Sequence, residues 1–401
     1  MKLQEGNKFT FACTKFALTQ MDKLQGNSMS QISISAIQRF PFKGFPGQAM
    51  KNTRLATGKG IQHDRRFAIT NGITSNGEWM PPRSYYINSI KDGLLKFDLD
   101  ISEDDQLLTL KNPDGDTITL DLEDTSNLAD VNEAIPGFIA SLGLPKEDEA
   151  SPQIVEATGN LANWDYADTP ISIINQASVE DLSRQLGIET LDWVRFRGNL
   201  LLTGLPAWEE FSWLGKRIQI GDAELEIFRP INRCPAPGVN PSTGERDVEV
   251  APFLQEHYGH AYCGMYARVV KDGDIRQHSP VTIAGEATMD VEVARNERAP
   301  DYALWPRTAR ISRYDDNPSE TVITLENTSP WPFPEAATGQ RIRFHFGGIG
   351  WTQEYINEVS DNSLQFIVED SPTQDPMTEY FRHKLIEGQD IVISGPFGRT
   401  G

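Results

Sequence analysis

"RIQIGDAELEIFRPINRC", residues 217–234, alternates apolar and polar side chains on both sides of Gly221-Asp222. That is the pattern of two half-buried strands joined by a tight turn. The stretch ends on Cys234, directly after Arg233, with Arg229 and Arg246 near in sequence. The adjoining segment, "PAPGVNPSTGERD", is rich in turn residues and poor in apolar cover. A core cysteine sits inside an apolar run. One set among guanidiniums and turns stands where a thiolate is stabilised, and a thiolate is both a nucleophile and a soft metal ligand. The segment therefore raises a fold, built from strands, and a chemistry, built on one sulfur.

Short strands repeat outward from this hairpin. "SQISISAIQRFPFKG" opens with strand alternation, and "RRFAITNGITSNGEW" predicts a hairpin with Asn71-Gly72 and Asn76-Gly77 as turn signals. "LLKFDLDISEDDQLLTLKNPDGDTITLDL" adds strands split by "NPDGD", so 31–125 reads as a small all-β unit. "LADVNEAIPGFIASLGLPKEDEASP" predicts a helix and loop. In "ISIINQASVEDLSRQLG" the period becomes helical, with Ser178 as the expected N-cap, Asp181 three residues on, and Val179, Leu182 and Leu186 on one face. "RFRGNLLLTG" reads as a strand, and "YCGMYARVVKDGDIRQHSPVTI" as a hairpin turning at Asp272-Gly273. The unit 126–290 is therefore β-rich, and a barrel removes the edges of so many short strands. From about 300 to 401, "ARISRYDD", "ETVITLEN", "QRIRFHF", "SLQFIVED" and "QDIVISG" are strands. "DPMTEYFRHKLIEG" is one helix closed by Gly388. The expected class is mainly β with some α. Residues 1–28 read as a disordered extension, with Met29 as an alternative start.

Bulk properties narrow the function. A net charge of -20 argues against binding a nucleic-acid backbone, which needs a basic face. A local basic pocket in such a chain suits a small anionic ligand. No apolar run approaches the length of a membrane span, and the first thirty residues lack the apolar core of a secretory signal. Three cysteines, Cys13, Cys234 and Cys263, are too few for a disulfide framework and suit a reducing, cytoplasmic compartment.

Two chemical readings of the residues compete. Lys43, Arg65, Arg197 and Asn199 are cationic or polar positions beside apolar strand residues, and together they would line a pocket for a phosphorylated ligand. Alternatively, His257, His260 and Cys263 recur at three-residue steps in "HYGHAYC", and Cys234 would complete a zinc site.

The order of "RFPFKG", "HDRRF", "ISIINQASVEDLSRQLG", "RFRGNLLLTG", "PAWEEFSWLGKRIQIGDAELEI", "RPINRCPAPGVNPSTGERD" and "YGHAYCGMYARVVKDGDI" resembles that of MOSC proteins. The family is named for the molybdenum cofactor sulfurase C-terminal domain. The resemblance covers about 31–290 and points to the mitochondrial amidoxime reducing component and its bacterial relatives. It implies an N-terminal β-barrel-like domain followed by a MOSC β-barrel. It also implies that Cys234 is the catalytic protein ligand to molybdenum, with Lys43, Arg65, Arg197, Asn199, Asn232 and Arg233 holding the molybdopterin. The implied activity is an oxidoreductase that reduces small N-hydroxylated substrates with electrons from a separate donor protein. The alternative is a carrier of molybdenum cofactor or sulfur to other enzymes. The chain departs from the family pattern at Gly44, Gly198, Pro237 and Asn240, where the family has Ser, Pro, Thr and Asp.

Residues 304–398 resemble the flavin-binding β-barrel of ferredoxin reductases. There the family's Arg-x-Tyr-Ser/Thr motif meets Gln353-Glu354-Tyr355-Ile356. The tyrosine is kept while the arginine and hydroxyl are missing, so an anionic FAD would lose charge-assisted bonds. The expectation is a barrel that lost FAD and docks an electron donor, with FAD binding as the alternative.

Overall fold

The computed structural model describes residues 31–70, 79–87, 91–142, 151–157, 162–168, 170–288, 306–317, 319–328, 336–346, 350–369, 381 and 385–397. The expected extension, the two Asn-Gly turns and most of the expected helix before Gly388 lie outside them.

The hairpin forms as expected: Lys216–Ile220 and Ala223–Asn232 are antiparallel, with Ile220 opposite Ala223. Ile218, Ile220, Leu225 and Ile227 are fully buried, which is the inward half of the alternation. The pair lies in an eight-stranded sheet. Its order is Val281–Glu286, Lys216–Ile220, Ala223–Asn232, Tyr262–Lys271, Ile171–Asn175, Leu200–Thr203, Ser33–Arg39 and Gln48–Met50. The sheet curls back on itself. The amide of Val281 donates to Ile32 O at 2.9 Å and that of Ile34 to Ser279 O at 3.0 Å. Ile171–Asn175 and Leu200–Thr203 are its parallel pair. A parallel pair needs a crossover, which the helix Gln176–Gln185 supplies.

Two local expectations are corrected. Tyr262–Lys271 and Gly273–Arg276 do not form a hairpin; the second strand pairs with Asn52–Ala56 in a separate three-stranded sheet. Asp272 fixes that exit by accepting from the amide (2.8 Å) and hydroxyl (2.6 Å) of Thr57. Phe67–Thr70 pairs with the distant strand Gln153–Glu156, and the partner expected for it across the Asn-Gly turns lies outside the described residues. The helix begins earlier than Ser178: Asn175 caps it by accepting from Ala177 N at 3.1 Å. Ser178 is drawn instead into a buried network, donating to Glu210 and accepting from the amide of Trp208.

A second core holds the meander Asp98–Ile101, Leu107–Lys111 and Thr117–Asp121 and the helix Leu128–Phe138. Phe42 stacks on Phe67 at 5.4 Å, while Phe45 meets Phe97 and Phe97 meets Phe138 edge-on. The strands Ser33–Arg39 and Gln48–Met50 belong to the large sheet, while Phe42 and Phe45 enter the second core. The turn carrying Lys43 thus sits where the two cores meet.

A third core fills a seven-stranded antiparallel sheet of strands between Arg307 and Phe397. It rests on the helix Val250–Tyr258. Arg343 donates to the carbonyls of Glu256 (3.2 Å) and His257, and the His345 ring stacks on Tyr258 at 4.6 Å. The chain is mainly β with few helices.

Candidate functional site

An open cleft of about 790 Å³ lies at the mouth of the large sheet. All seven site residues expected from sequence line it: Lys43, Arg65, Arg197, Asn199, Asn232, Arg233 and Cys234. Five of the described lining residues are Lys or Arg and one is a carboxylate, in a chain of net charge -20, so the local field favours an anion.

Each element delivers a different group. Cys234 lies two residues beyond the end of Ala223–Asn232 and is exposed. The amide of Arg233 donates to Ala261 O at 2.7 Å, which anchors the end of that strand. Beyond it, Arg195 grips Asp247 through two hydrogen bonds (2.7 and 2.9 Å), and Asn240 donates to the same carboxylate. The loop bearing the thiol is therefore pinned from below. Its ion pair holds the Asp247 carboxyl below the usual range, with the Arg195 hydrogen bond as the main cause.

Arg197 and Arg65 both adopt φ of 51°, a left-handed backbone uncommon for non-glycine residues. Such strain persists only where surroundings enforce it. Here both guanidiniums lie over the Phe40 ring, at 4.3 and 4.7 Å. Arg197 donates to Phe45 O at 2.6 Å, and Arg65 donates to Asp64 (2.5 Å), Asn199 Oδ1 (3.2 Å) and Arg197 O (2.8 Å). Burial, then the Arg65 charge, pulls Arg197 down to about 9; Asp165, Asp64 and Cys234 oppose that fall. Arg197 and Cys234 line the same cleft. Lys43 is 4% exposed and donates to Asn163 O (2.8 Å) and Asp165 Oδ1 (2.6 Å). Burial lowers its pKa and Asp165 partly restores it.

Other expected residues also bond within the protein. The three nitrogens of Arg233 donate to Cys263 O and Phe196 O, so its guanidinium braces the barrel wall. Arg246 donates to Pro235 O and Asp92, and Arg229 lies over Tyr166. Asn199 is a brace as well: its oxygen accepts from Arg65 and Ser172 and its nitrogen donates to Gln38 O. Asn232 lines the cleft and is exposed. The zinc alternative fails among the described residues. No group of three or more His, Cys, Asp or Glu is placed to hold a metal, and Cys263 is buried in the core while Cys234 faces the cleft.

Sequence reasoning missed Arg195, Asp247, Trp164 and Asp165. Arg195 and Asp247 stand inside stretches already singled out, but their pairing is a tertiary fact. Trp164 is 4% exposed, lines the cleft, and has its indole N–H without an acceptor. Two family departures are steric. Gly44 has φ of 86°, and a Cβ there would meet Tyr86 O at 2.7 Å; a Cβ at Gly198 would meet Ile174 at 2.3 Å.

Fold and cleft together define a β-barrel protein with a thiol at the mouth of a cationic cleft. Residues 155–282 match the family model described as MOSC domain, so the chain carries a MOSC domain. Molybdenum cofactor sulfurase 2 of Culex quinquefasciatus is 27% identical over 277 residues, covering 60% of this chain and 35% of the relative. The molybdenum cofactor sulfurase of Caenorhabditis elegans is 26% identical over 234 residues, covering 54% of this chain and 30% of the relative. The chain spans about a third of the length of the curated relatives it matches. Among solved structures, the YUAD protein from Bacillus subtilis shares 13% identity, covering 63% of this chain and 94% of that one, with a TM-score of 0.32. The CS-b5R domains of human Ncb5or share 12%, covering 36% and 42%, with a TM-score of 0.20. Likenesses this loose decide nothing about the chain.

Proposed function

We propose that the cleft holds a molybdenum cofactor and that the protein is an oxidoreductase acting on small N-hydroxylated compounds. The observation that carries this reading is the exposed Cys234 thiol on the wall of a cleft lined by five cations and one carboxylate. The donor set suits the group: a soft sulfur for the metal, and an ammonium and guanidiniums for an anionic pterin phosphate. When bound, the cofactor supplies two-electron redox chemistry at its metal. The chain's own residues orient it. Cys234 ligates the metal, Lys43 and Arg197 set the positive field, Arg65 supports Arg197, and Arg195–Asp247 keeps the thiol loop in place. Asn199, Asn232 and Arg233 complete the walls. In the net reaction the N–O bond breaks. Two electrons from a separate donor protein and two protons yield the parent base and water.

A separate donor accords with the residues at the flavin-motif position of the third sheet. Where a flavin motif would place a hydroxyl, Ile356 is 1% exposed and packs in the core. Tyr355 is 61% exposed beside Arg341, and Gln353 accepts from Arg343 through its amide oxygen. A cytoplasmic location accords with a free, exposed Cys234.

The names of the curated relatives favour a second reading, in which Cys234 carries sulfur or the cofactor to other enzymes. One experiment separates the two. Purified protein is given a reduced artificial donor and an N-hydroxylated purine, and the amine is quantified. Steady amine formation supports the reductase. Absence of turnover, with activation of an apo-molybdoenzyme in the same preparation, supports the carrier.

A further inference from the structure

Asp165 is the one carboxylate among the described residues lining the cleft, and it reaches into the cation cluster. Its Oδ1 accepts from Lys43 Nζ at 2.6 Å. The two ends of this ion pair differ: the Lys43 side chain is 6% exposed and that of Asp165 is 56% exposed. A neighbouring residue explains why the carboxylate arrives there. Asn163 is bolted down. Its amide nitrogen donates to Arg65 O and Arg66 O, its oxygen accepts from Tyr85 OH, and its carbonyl accepts from Lys43. Asp165, two residues on, has Lys43 as its ion-pair partner. The protein packed around the cleft works against its charge, and the Lys43 ammonium, with Arg65 and Arg197 behind it, more than offsets this and holds the carboxyl below its usual range.

We propose that Asp165 is an internal counter-ion that occupies the anion position of the cleft and is displaced by the phosphate or other anionic group of the ligand. This rests on the reading of the cleft as an anion site. Counting only Lys43, Arg65 and Arg197 against Asp64 and Asp165, the cluster carries +1; with Asp165 turned away it carries +2. Turning away requires rotation of one side chain that already faces solvent over half its surface. Lys43 keeps its bond to Asn163 O throughout, so an incoming anion replaces one partner of a charge that never becomes bare. The device keeps a buried lysine charged before loading and sets a threshold: only an anion stronger than a single carboxylate takes the position.

The test is calorimetric titration of the full chain, prepared without cofactor, with inorganic pyrophosphate at pH 6, because acid favours the ammonium of a lysine whose pKa burial lowers. Asp165→Asn and Asp165→Ala are compared with the unaltered protein, and circular dichroism checks the fold of each. Removing the competing charge is expected to tighten pyrophosphate binding about tenfold in both variants. Binding that is unchanged or weaker in the folded variants overturns the counter-ion role while leaving the anion site standing. No binding by any of the three proteins overturns the anion site and this proposal with it.

Discussion

The cleft and the seam beneath the third sheet both bury ionisable side chains, and they treat them in opposite ways. In the cleft, Lys43, Arg65 and Arg197 keep carboxylates and carbonyls as partners, so charge is maintained. In the seam, His257, His260 and His345 gather around Tyr258; His260 Nδ1 accepts from Tyr262 N and His345 Nε2 pairs with Ser394 Oγ, while His260 Nε2, His345 Nδ1 and His257 Nε2 lack partners among the described residues. Burial pushes His260 down to about 3 and His345 well below its ordinary value; Arg343 adds to the fall of His345. Partners mark where the fold needs charge. Rings bonded to an amide or a hydroxyl at one nitrogen and left unpaired at the other serve as packing.

That contrast makes acid the strongest perturbation. The unfolded imidazole of His260 binds a proton near pH 6.5, while the folded one resists until about 3. Between those values the unfolded state holds more protons, so stability is full above pH 6.5 and falls as pH falls. From pH 6.5 to 5 the loss is about 2 kcal/mol for a fully buried ring. Urea denaturation at pH 7 and pH 5 measures it, and a flat profile would place the rings in solvent. Arg197→Ala is expected to cost about 1–2 kcal/mol by orphaning the carbonyl of Phe45, and to weaken anion binding in the cleft. Denaturation and phosphate titration of the same variant test both effects. Arg195→Ala removes a two-point grip on Asp247, which is 42% exposed and partly rescued by solvent, for a cost of about 1 kcal/mol. Its sharper signature is faster alkylation of Cys234 as the loop loosens. Tyr258→Phe removes one donor from Asp181, which keeps Trp208 Nε1, and is expected to cost about 1 kcal/mol without changing the cleft.

Strands were legible wherever alternation was local. The hairpin at Gly221-Asp222 and the meander around "NPDGD" depend on residues a few positions apart. The partners of Phe67–Thr70 and Gly273–Arg276 come from far along the chain, and no local pattern names them. Ser178 is a good cap by type, yet the buried carboxylate of Glu210 claimed it, and Glu210 itself is pushed up to about 7 by that burial. The cleft's members were readable as residue types, because Lys43, Arg65, Arg197 and Cys234 are conspicuous beside apolar strands. Their roles were not. Arg233 stands next to Cys234 in sequence but is engaged by carbonyls, while Arg197, distant in sequence, lines the same cleft as the sulfur.

The central claim is that Cys234 holds molybdenum. Its most direct test is elemental and pterin analysis of the full chain and of Cys234→Ser, both purified from a host that makes the cofactor. Molybdenum and pterin near one per chain are expected in the first. In the second the expected result is loss of molybdenum with an unchanged circular dichroism spectrum, since an exposed thiol contributes little packing. Equal molybdenum in both proteins, or none in either, contradicts the claim.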